Sequence, residues 1–329
     1  MQPPPRLSPG PRSANRADPC LSCGRAALDY AFAAAENGFE VRRCSGCGLG
    51  LTWPPVPDAE IGSFYPATYY GRENVRFNLL FERLTRLFRL RRARVIRRKA
   101  RPGPILDVGC GRGLTLNYLR DLGLEPYGLE LSDTAAWHAR NALGLPVETG
   151  DFLRSSHKPG FFSAVMLWHS LEHMSRPVEA LRRARELLRP GGLLVVAVPN
   201  FSSLQARLFG RHWFHLDVPR HYIHFSLEAL ERLLRREGFR IVKTDHFSFE
   251  QNPYGWLQSA LNALGFDYNF LYAALKNRSA RTFQLRRHPA QALLTALLLA
   301  PFTALALGLT LLEAALKRGG TVELYAVKE

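Results

Sequence analysis

Three glycines in the run Asp107-Val108-Gly109-Cys110-Gly111-Arg112-Gly113 stand where a short apolar stretch, 105–108, gives way to a helical pattern. Glycine at such a junction lets the backbone approach a ligand closely and turn sharply into the helix. A dinucleotide loop would space its glycines G-x-G-x-x-G, but Leu114 takes the last position, so this loop suits a nucleoside ligand without a pyrophosphate. Two carboxylates serve the same ligand. Glu130 closes the next apolar run, where it can accept hydrogen bonds from both ribose hydroxyls, and Asp151 follows the run after that, placed to take the exocyclic amine of an adenine.

A second group is rich in imidazole: six of the ten histidines fall between His169 and His224. His169 and His173 lie four apart after the run 163–168, with Glu172 between them, and His221 sits in an aromatic and polar segment, 213–225. Imidazole titrates near neutrality, so these are candidate general bases, His221 first, His169 second and His173 beside them. Segment 213–225 reads as a lid over an acceptor; its bland alternative is a crossover held by an Asp217–Arg220 pair. The histidine spacing matches no recognisable metal motif.

The third group is sulfur. Cys20-x-x-Cys23 and Cys44-x-x-Cys47 are 20 residues apart, and each pair is followed by glycine, Gly24 and Gly48. Tight turns of this kind converge four thiolates on a tetrahedral zinc ion, and a closed four-thiolate site leaves no position for water, so the zinc is expected to be structural. Cys110 reads as a small buried residue. An odd total of five cysteines, four of them paired this way, fits a reducing compartment, and the chain is expected to be cytosolic.

The elements that must position these groups follow from periodicity. Apolar runs at 105–108, 127–130, 146–149, 163–168 and 193–198 are each separated by enough chain for one crossover helix, which predicts a parallel sheet with helices on both faces. Ser226 can cap a further helix, Gly238 can end it, and 239–244 and 321–327 supply two more strands. The expected organisation is a disordered tail (1–19), a zinc ribbon (20–52), a connector with a basic amphipathic helix (53–101), an α/β core (102–246), an apolar helical insertion (247–320) and the last strand (321–329). The tail has no apolar core and reads as neither signal peptide nor anchor.

At this point the sequence resembles the class I S-adenosylmethionine-dependent methyltransferases, in particular the ubiquinone-biosynthesis methyltransferase-like group. The resemblance rests on the loop at 107–113, Glu130, Asp151, Trp168-His169-Ser170-Leu171-Glu172-His173, and Leu188-Arg189-Pro190-Gly191-Gly192. It implies a Rossmann-like, doubly wound, seven-stranded sheet with an antiparallel last strand. It also implies that Asp107, Gly109, Gly111 and Gly113 surround the methionyl part of the cofactor, Glu130 the ribose and Asp151 the adenine, with Trp168 beside them. Leu-Asp-x-Pro-Arg-His at 216–221 looks like the substrate-side loop of relatives. One departure is Phe162-Ser163-Ala164, where the family often opens its fourth strand with an acid; it bears on strand setting more than on the cofactor.

Charge and hydropathy bear on partners. Of a formal net charge of +16, the stretch from Arg72 to Arg101 holds +10, on a helix over 74–100 with an apolar stripe at Phe77, Leu80, Phe81, Leu84, Leu87 and Phe88. From Pro289 to Leu312 the chain is uncharged. A single membrane crossing there would strand the last β-strand on the wrong side of its sheet. Pro301 divides the run, and arms of about eleven residues reach roughly 16 Å, so a helical hairpin that dips into one leaflet or lies along it is expected. Lys276, Arg278, Arg281, Arg286 and Arg287 would flank it on an anionic surface. The leading reading is a peripheral membrane methyltransferase of a lipid-linked, glycan or quinone-like small molecule. Its alternatives are a zinc-ribbon RNA methyltransferase, weakened by the absence of an Asn/Asp-Pro-Pro-Tyr tetrad after the fourth strand, and a non-catalytic zinc-ribbon adaptor.

Overall fold

The computed structural model describes residues 19–25, 28–34, 38–57, 60, 64, 79–275 and 278–329. Residues 1–18 of the expected disordered tail and 58–59, 61–63 and 65–78 of the connector lie outside the described residues. Strands β1 (Leu28–Ala33), β2 (Glu40–Cys44) and β3 (Gly50–Trp53) form an antiparallel ribbon beside the cysteine pairs, and helix α1 (Leu79–Lys99) follows. The chain then alternates β4 (Pro104–Val108), α2 (Leu114–Asp121), β5 (Glu125–Glu130), α3 (Asp133–Asn141), β6 (Val147–Thr149), β7 (Phe162–Trp168), α4 (Pro177–Leu187) and β8 (Leu188–Pro199). After α5 (Leu204–Phe209) and the two-residue strand β9 (Ile223–His224) come α6 (Leu227–Arg236) and β10 (Phe239–Asp245). The insertion folds as α7 (Asn252–Ala263), α8 (Phe270–Leu275), α9 (Arg278–Arg287) and α10 (Pro289–Ala315), and β11 (Thr321–Lys328) ends the fold.

The expected seven-stranded sheet forms in the order β10-β11-β8-β7-β4-β5-β6, with β11 antiparallel to both its neighbours and the five strands from β4 to β8 parallel. Every residue of β4 is buried, as are all but the last of β7, because helices cover both faces and leave no wet side to alternate with. One core cluster packs Leu181, Leu230 and Phe239 on one face, and another packs Ile96, Leu116 and Ala136 on the other. Ser226 caps α6 as its residue type predicts, accepting from the Ala229 N–H at 3.1 Å. Ser163, in place of an acid, donates its hydroxyl to the Pro104 carbonyl at 2.9 Å and ties the start of β7 to that of β4.

A second sheet has the order β1-β2-β3-β9, so the cysteine ribbon takes its fourth strand from the chain just after His221. The ribbon shares its core with α6: Cys20, Cys44, Cys47 and Leu49 pack in the same cluster as Ala229, Leu233 and Phe225.

The apolar insertion departs from expectation. α10 runs through Pro301 as one 27-residue helix instead of a hairpin. Proline removes one N–H and disturbs one turn, and here the helix is held on both sides of that turn. Gln291 accepts from the Asp267 N–H at 3.0 Å near one end, Phe302 packs against Leu257, Leu261 and Leu271, and Glu313 lies against Trp256 near the other. α10 therefore lies along α7 and reaches α8 through Phe302. Its inner stripe of Thr295, Ala306, Thr310 and Glu313 is buried, while Leu293, Leu297, Leu305 and Leu311 are each 60% or more exposed.

Glu313 is the anchor of this arrangement. Fully buried, it accepts from Gln205 Nε2 (3.1 Å), Trp256 Nε1 (3.1 Å) and the Gly320 N–H (3.2 Å), although burial still pushes its carboxyl up to about 7. Glu313→Ala strands two buried donors, Trp256 Nε1 and the Gly320 N–H, and leaves Gln205 Nε2 with the Asn252 carbonyl alone, so it is expected to cost about 3 kcal/mol, read as a lower urea midpoint; a loss under about 0.5 kcal/mol would show that the network does not hold the helix.

Candidate active site

The glycine loop is held by β5. Gly109 and Cys110 donate to the Leu129 carbonyl at 2.8 and 3.2 Å, and Gly111 donates to a Glu130 carboxylate oxygen at 2.8 Å. The other Glu130 oxygen accepts from the Ser132 N–H at 2.9 Å, so backbone donors fix the carboxylate before any ligand arrives. Gly111 has a φ of +55° with open space where a Cβ would stand. At Gly113, with a φ of +73°, a Cβ would lie 2.8 Å from Ala139 and Leu145, so a side chain there would push α3 away. Asp107 is buried beneath the loop; burial, reinforced by Glu130 and opposed by Arg92, pushes its carboxyl up to about 7. Gly150 donates to the Glu130 carbonyl at 3.0 Å and sets the exposed Asp151 alongside, where its carboxylate caps the next turn through the Leu153 N–H at 3.0 Å.

A cavity of about 420 Å³ opens beside this loop, and its wall carries Gly111, Trp168, His169, Glu172, His173 and His221. The candidates Glu130 and Asp151 are not on that wall; Glu130 reaches it through Gly111. Trp168 ends β7 with the Arg92 guanidinium 3.8 Å above its ring, and its indole Nε1 is buried without a protein partner. Arg92 also binds Glu250 at 2.8 Å and Thr115 at 3.3 Å, joining α1, the start of α2 and the insertion in one contact set. This places α1 differently from the predicted stripe. Among its described side chains Ala93 and Ile96 are the buried apolar ones, Thr85, Phe88, Arg89 and Arg92 face the cavity, and Leu87 is 63% exposed. The stripe residues before Thr85 lie outside the described side chains.

Glu172 organises the imidazoles. His169, held at a left-handed φ of +50° that costs a non-glycine residue energy, has its Nδ1 3.2 Å from a Glu172 oxygen. The Nδ1 of His173 faces the Arg220 carbonyl at 2.9 Å and that of His221 the His215 carbonyl at 3.0 Å. A carbonyl only accepts, so in both rings Nδ1 carries a proton, and Nε2 bears the lone pair whenever the ring is neutral. The rings of His173 and His221 meet edge to face at 4.6 Å. Burial would raise Glu172, but the His169 hydrogen bond and the fields of His169, His173 and His221 outweigh it and hold the carboxyl down at about 2. Burial and the neighbouring His173 hold His221 down at about 4. The Asp217–Arg220 pair forms, and despite burial Arg220 and His221 hold Asp217 well below the usual carboxylate range.

Ligand atoms of Glu172, His173 and His221 all lie within 4.8 Å of one another, an arrangement that can hold a metal ion or share a proton. Spacing could not reveal it, because His221 arrives from far along the chain. Sequence reasoning also missed the aromatic wall of Phe214, Tyr254 and Tyr272, with Phe214 5.0 and 5.5 Å from the two tyrosine rings. Two of its three rings come from the insertion, whose aromatics carried no motif.

The four cysteines converge as their spacing predicts. Cys20–Cys47 and Cys23–Cys44 sulfurs are 3.5 Å apart, and all four ligand atoms lie within 4.8 Å. That is too long for a disulfide and close to the roughly 3.8 Å edge of a tetrahedron with 2.3 Å zinc–sulfur bonds. Burial pushes the Cys47 thiol up to about 12, a penalty on its thiolate that a divalent cation would offset. The donor set fits zinc.

The family described as "Methyltransferase domain" matches residues 73–244. A ubiquinone biosynthesis O-methyltransferase of Cereibacter sphaeroides is 28% identical over 186 residues, 52% of this chain and 73% of that protein. The protein of the same name from Ruegeria pomeroyi is 28% identical over 188 residues, 53% and 73% of the two chains. Among solved structures, an S-adenosylmethionine-dependent methyltransferase from Archaeoglobus fulgidus aligns with a TM-score of 0.46 at 20% identity, covering 74% of this chain and 93% of that one.

Burial sets a pH window for stability. It holds His215 and His224 down at about 3 from an ordinary 6.5, so the unfolded chain binds protons that the folded one refuses. Their contribution is complete above 6.5 and is lost as the pH falls toward 3, by about 1.4 kcal/mol per pH unit for each histidine below pH 6. The urea midpoint should therefore hold between pH 8 and 7 and decline from about 6.5 downward, and His224→Gln should flatten the decline; an unchanged slope would contradict the assignment.

Proposed function

The chain belongs to the methyltransferase-domain family as an S-adenosylmethionine-dependent enzyme, and on that footing we propose that it methylates an oxygen of a small ring-bearing acceptor at a membrane surface. The acceptor class is lipid-linked, glycan or quinone-like. The observation that carries the reading is a single cavity bounded by the glycine loop on one side and by the Glu172 cluster and the aromatic wall on the other. The names of the curated relatives, O-methyltransferases of ubiquinone biosynthesis, favour oxygen as the methylated atom.

The residues present suit the cofactor: Gly111 leaves open space beside a fixed carboxylate, and Trp168 Nε1 is a buried donor without a partner. Asp107, Gly109, Gly111 and Gly113 would hold the methionyl part, Glu130 the ribose and Asp151 the adenine, with Trp168 closing the site. When bound, S-adenosylmethionine supplies a methyl carbon already activated by its sulfonium. The protein's own work is therefore positioning, exclusion of water and removal of a proton. His221 Nε2, with its lone pair set by the His215 carbonyl, takes the acceptor hydroxyl proton. His169 and His173 flank it, and the Glu172 carboxylate stabilises the imidazolium that forms. Phe214, Tyr254 and Tyr272 offer ring faces to the acceptor. The four cysteines hold a structural zinc.

The membrane reading rests on α10. Its outer leucines face away from the body, and exposed Arg281, Arg286 and Arg287 precede it while Lys317 and Arg318 follow, so an apolar ridge lies between two cationic ends. That pattern suits a helix lying in the plane of an anionic leaflet.

Two measurements test the proposal. Calorimetry should show the purified chain binding S-adenosylmethionine, with binding abolished in Glu130→Ala; full retention in that variant would refute the site. In flotation, the protein should rise with phosphatidylglycerol-containing vesicles, and Leu297→Glu combined with Leu305→Glu should cut the bound fraction about tenfold. Equal flotation of both proteins would remove α10 from the interface.

A further inference from the structure

The segment from Asp217 to His224 is clamped on two sides. On the core side, His173 donates to the Arg220 carbonyl at 2.9 Å and the Tyr222 N–H donates to the Glu172 carbonyl at 2.9 Å. On the other side stands the cysteine ribbon. β3 pairs with β9 through Gly50 with His224 and Leu51 with Ile223, and the Thr52 N–H continues the ladder to the Tyr222 carbonyl at 3.0 Å.

Thr52 does more than pair. Its buried hydroxyl lies 2.5 Å from the His221 carbonyl, to which it donates, and 3.0 Å from His224 Nε2, which can donate to the same oxygen. The hydroxyl is thus spent on both sides, fixing the backbone of the candidate base. Two further contacts lock the ribbon in place. Ser226, while capping α6, donates to the Cys47 carbonyl at 2.5 Å, and Ser22 donates to the Ala229 carbonyl at 3.0 Å. Any side chain at Gly50 would meet Phe201 at 2.8 Å and His224 at 2.9 Å, so the glycine permits β3 to approach β9. The glycine loop takes its hydrogen bonds from β5 instead.

We propose that Thr52 is a positioning residue for the methyl-transfer site, through which the four-cysteine ribbon sets the backbone at His221. The inference rests on the reading of His221 as the base. A base must hold its geometry to within a fraction of an ångström, and residues 217–224 have only short, irregular structure of their own. The ribbon supplies the missing strand, and the cluster in turn makes the ribbon stiff enough to serve as a template. Cofactor binding and acceptor-side order are then separable properties of the chain.

The test is amide hydrogen exchange by mass spectrometry on the full chain, comparing a peptide over 217–224 with one over 105–113. Thr52→Val, which keeps the shape and loses the hydroxyl, should raise exchange in 217–224 about tenfold, leaving 105–113, zinc content and S-adenosylmethionine affinity within about twofold of wild type. Thr52→Ser should restore protection, and removal of zinc by a chelator should expose the same segment. Protection in Thr52→Val within twofold of wild type, an equal rise in both peptides, or no rescue by serine would overturn the proposal. Should chelation unfold the whole chain, the two Thr52 variants decide alone. Failure of the unaltered chain to bind S-adenosylmethionine would count against the proposed function while leaving the exchange result to judge the coupling.

Discussion

A carboxylate taken out of water must be compensated by donors and positive charge, and Glu172, 1% exposed, imposes that requirement on everything around it. His169 answers with a hydrogen bond at the cost of a left-handed backbone, and His173 and His221 bring their rings to the same place. The main chain takes part as well, since the Glu172 carbonyl receives the Tyr222 N–H and draws the 217–224 segment inward. One buried charge thus recruits groups from two widely separated stretches. Beside the glycine loop Glu130 is its counterpart, where backbone N–H groups of Gly111 and Ser132 do the compensating.

Three layers converge on the cavity from outside the parallel sheet. α1 closes it from above through Arg92, the insertion walls it with Tyr254 and Tyr272, and the cysteine ribbon supports the segment carrying His221. Each addition is attached through buried polar contacts as well as apolar packing. Glu313 does this for α10, and Ser226 for the ribbon. Such contacts are unforgiving of displacement, since a buried donor that loses its partner finds no water to replace it.

Local patterns in the sequence read well. The glycine loop, the seven strands, the Ser226 cap and the two cysteine pairs are all signalled within a few residues of themselves. What escaped was non-local or masked by composition. Nothing near Glu172 announces that His221 will meet it, and a two-residue strand such as β9 has no period to detect. α1 misled because its stripe was drawn through Leu87, which is exposed, while Arg92 from outside the stripe stacks on Trp168 and ion-pairs with Glu250. Pro301 suggested a break that tertiary contacts on either side of it override.

The attachment of α10 along α7 has a consequence for how this chain is made. A long apolar segment ordinarily commits a nascent protein to insertion machinery, because it must be threaded through a bilayer with its flanks parted. Here both flanks return to one folded body, and β11 cannot complete the sheet until α10 has been laid down. Synthesis, therefore, has to pass α10 before the sheet can close, so the leucine ridge is presented by a finished fold and not laid out ahead of it.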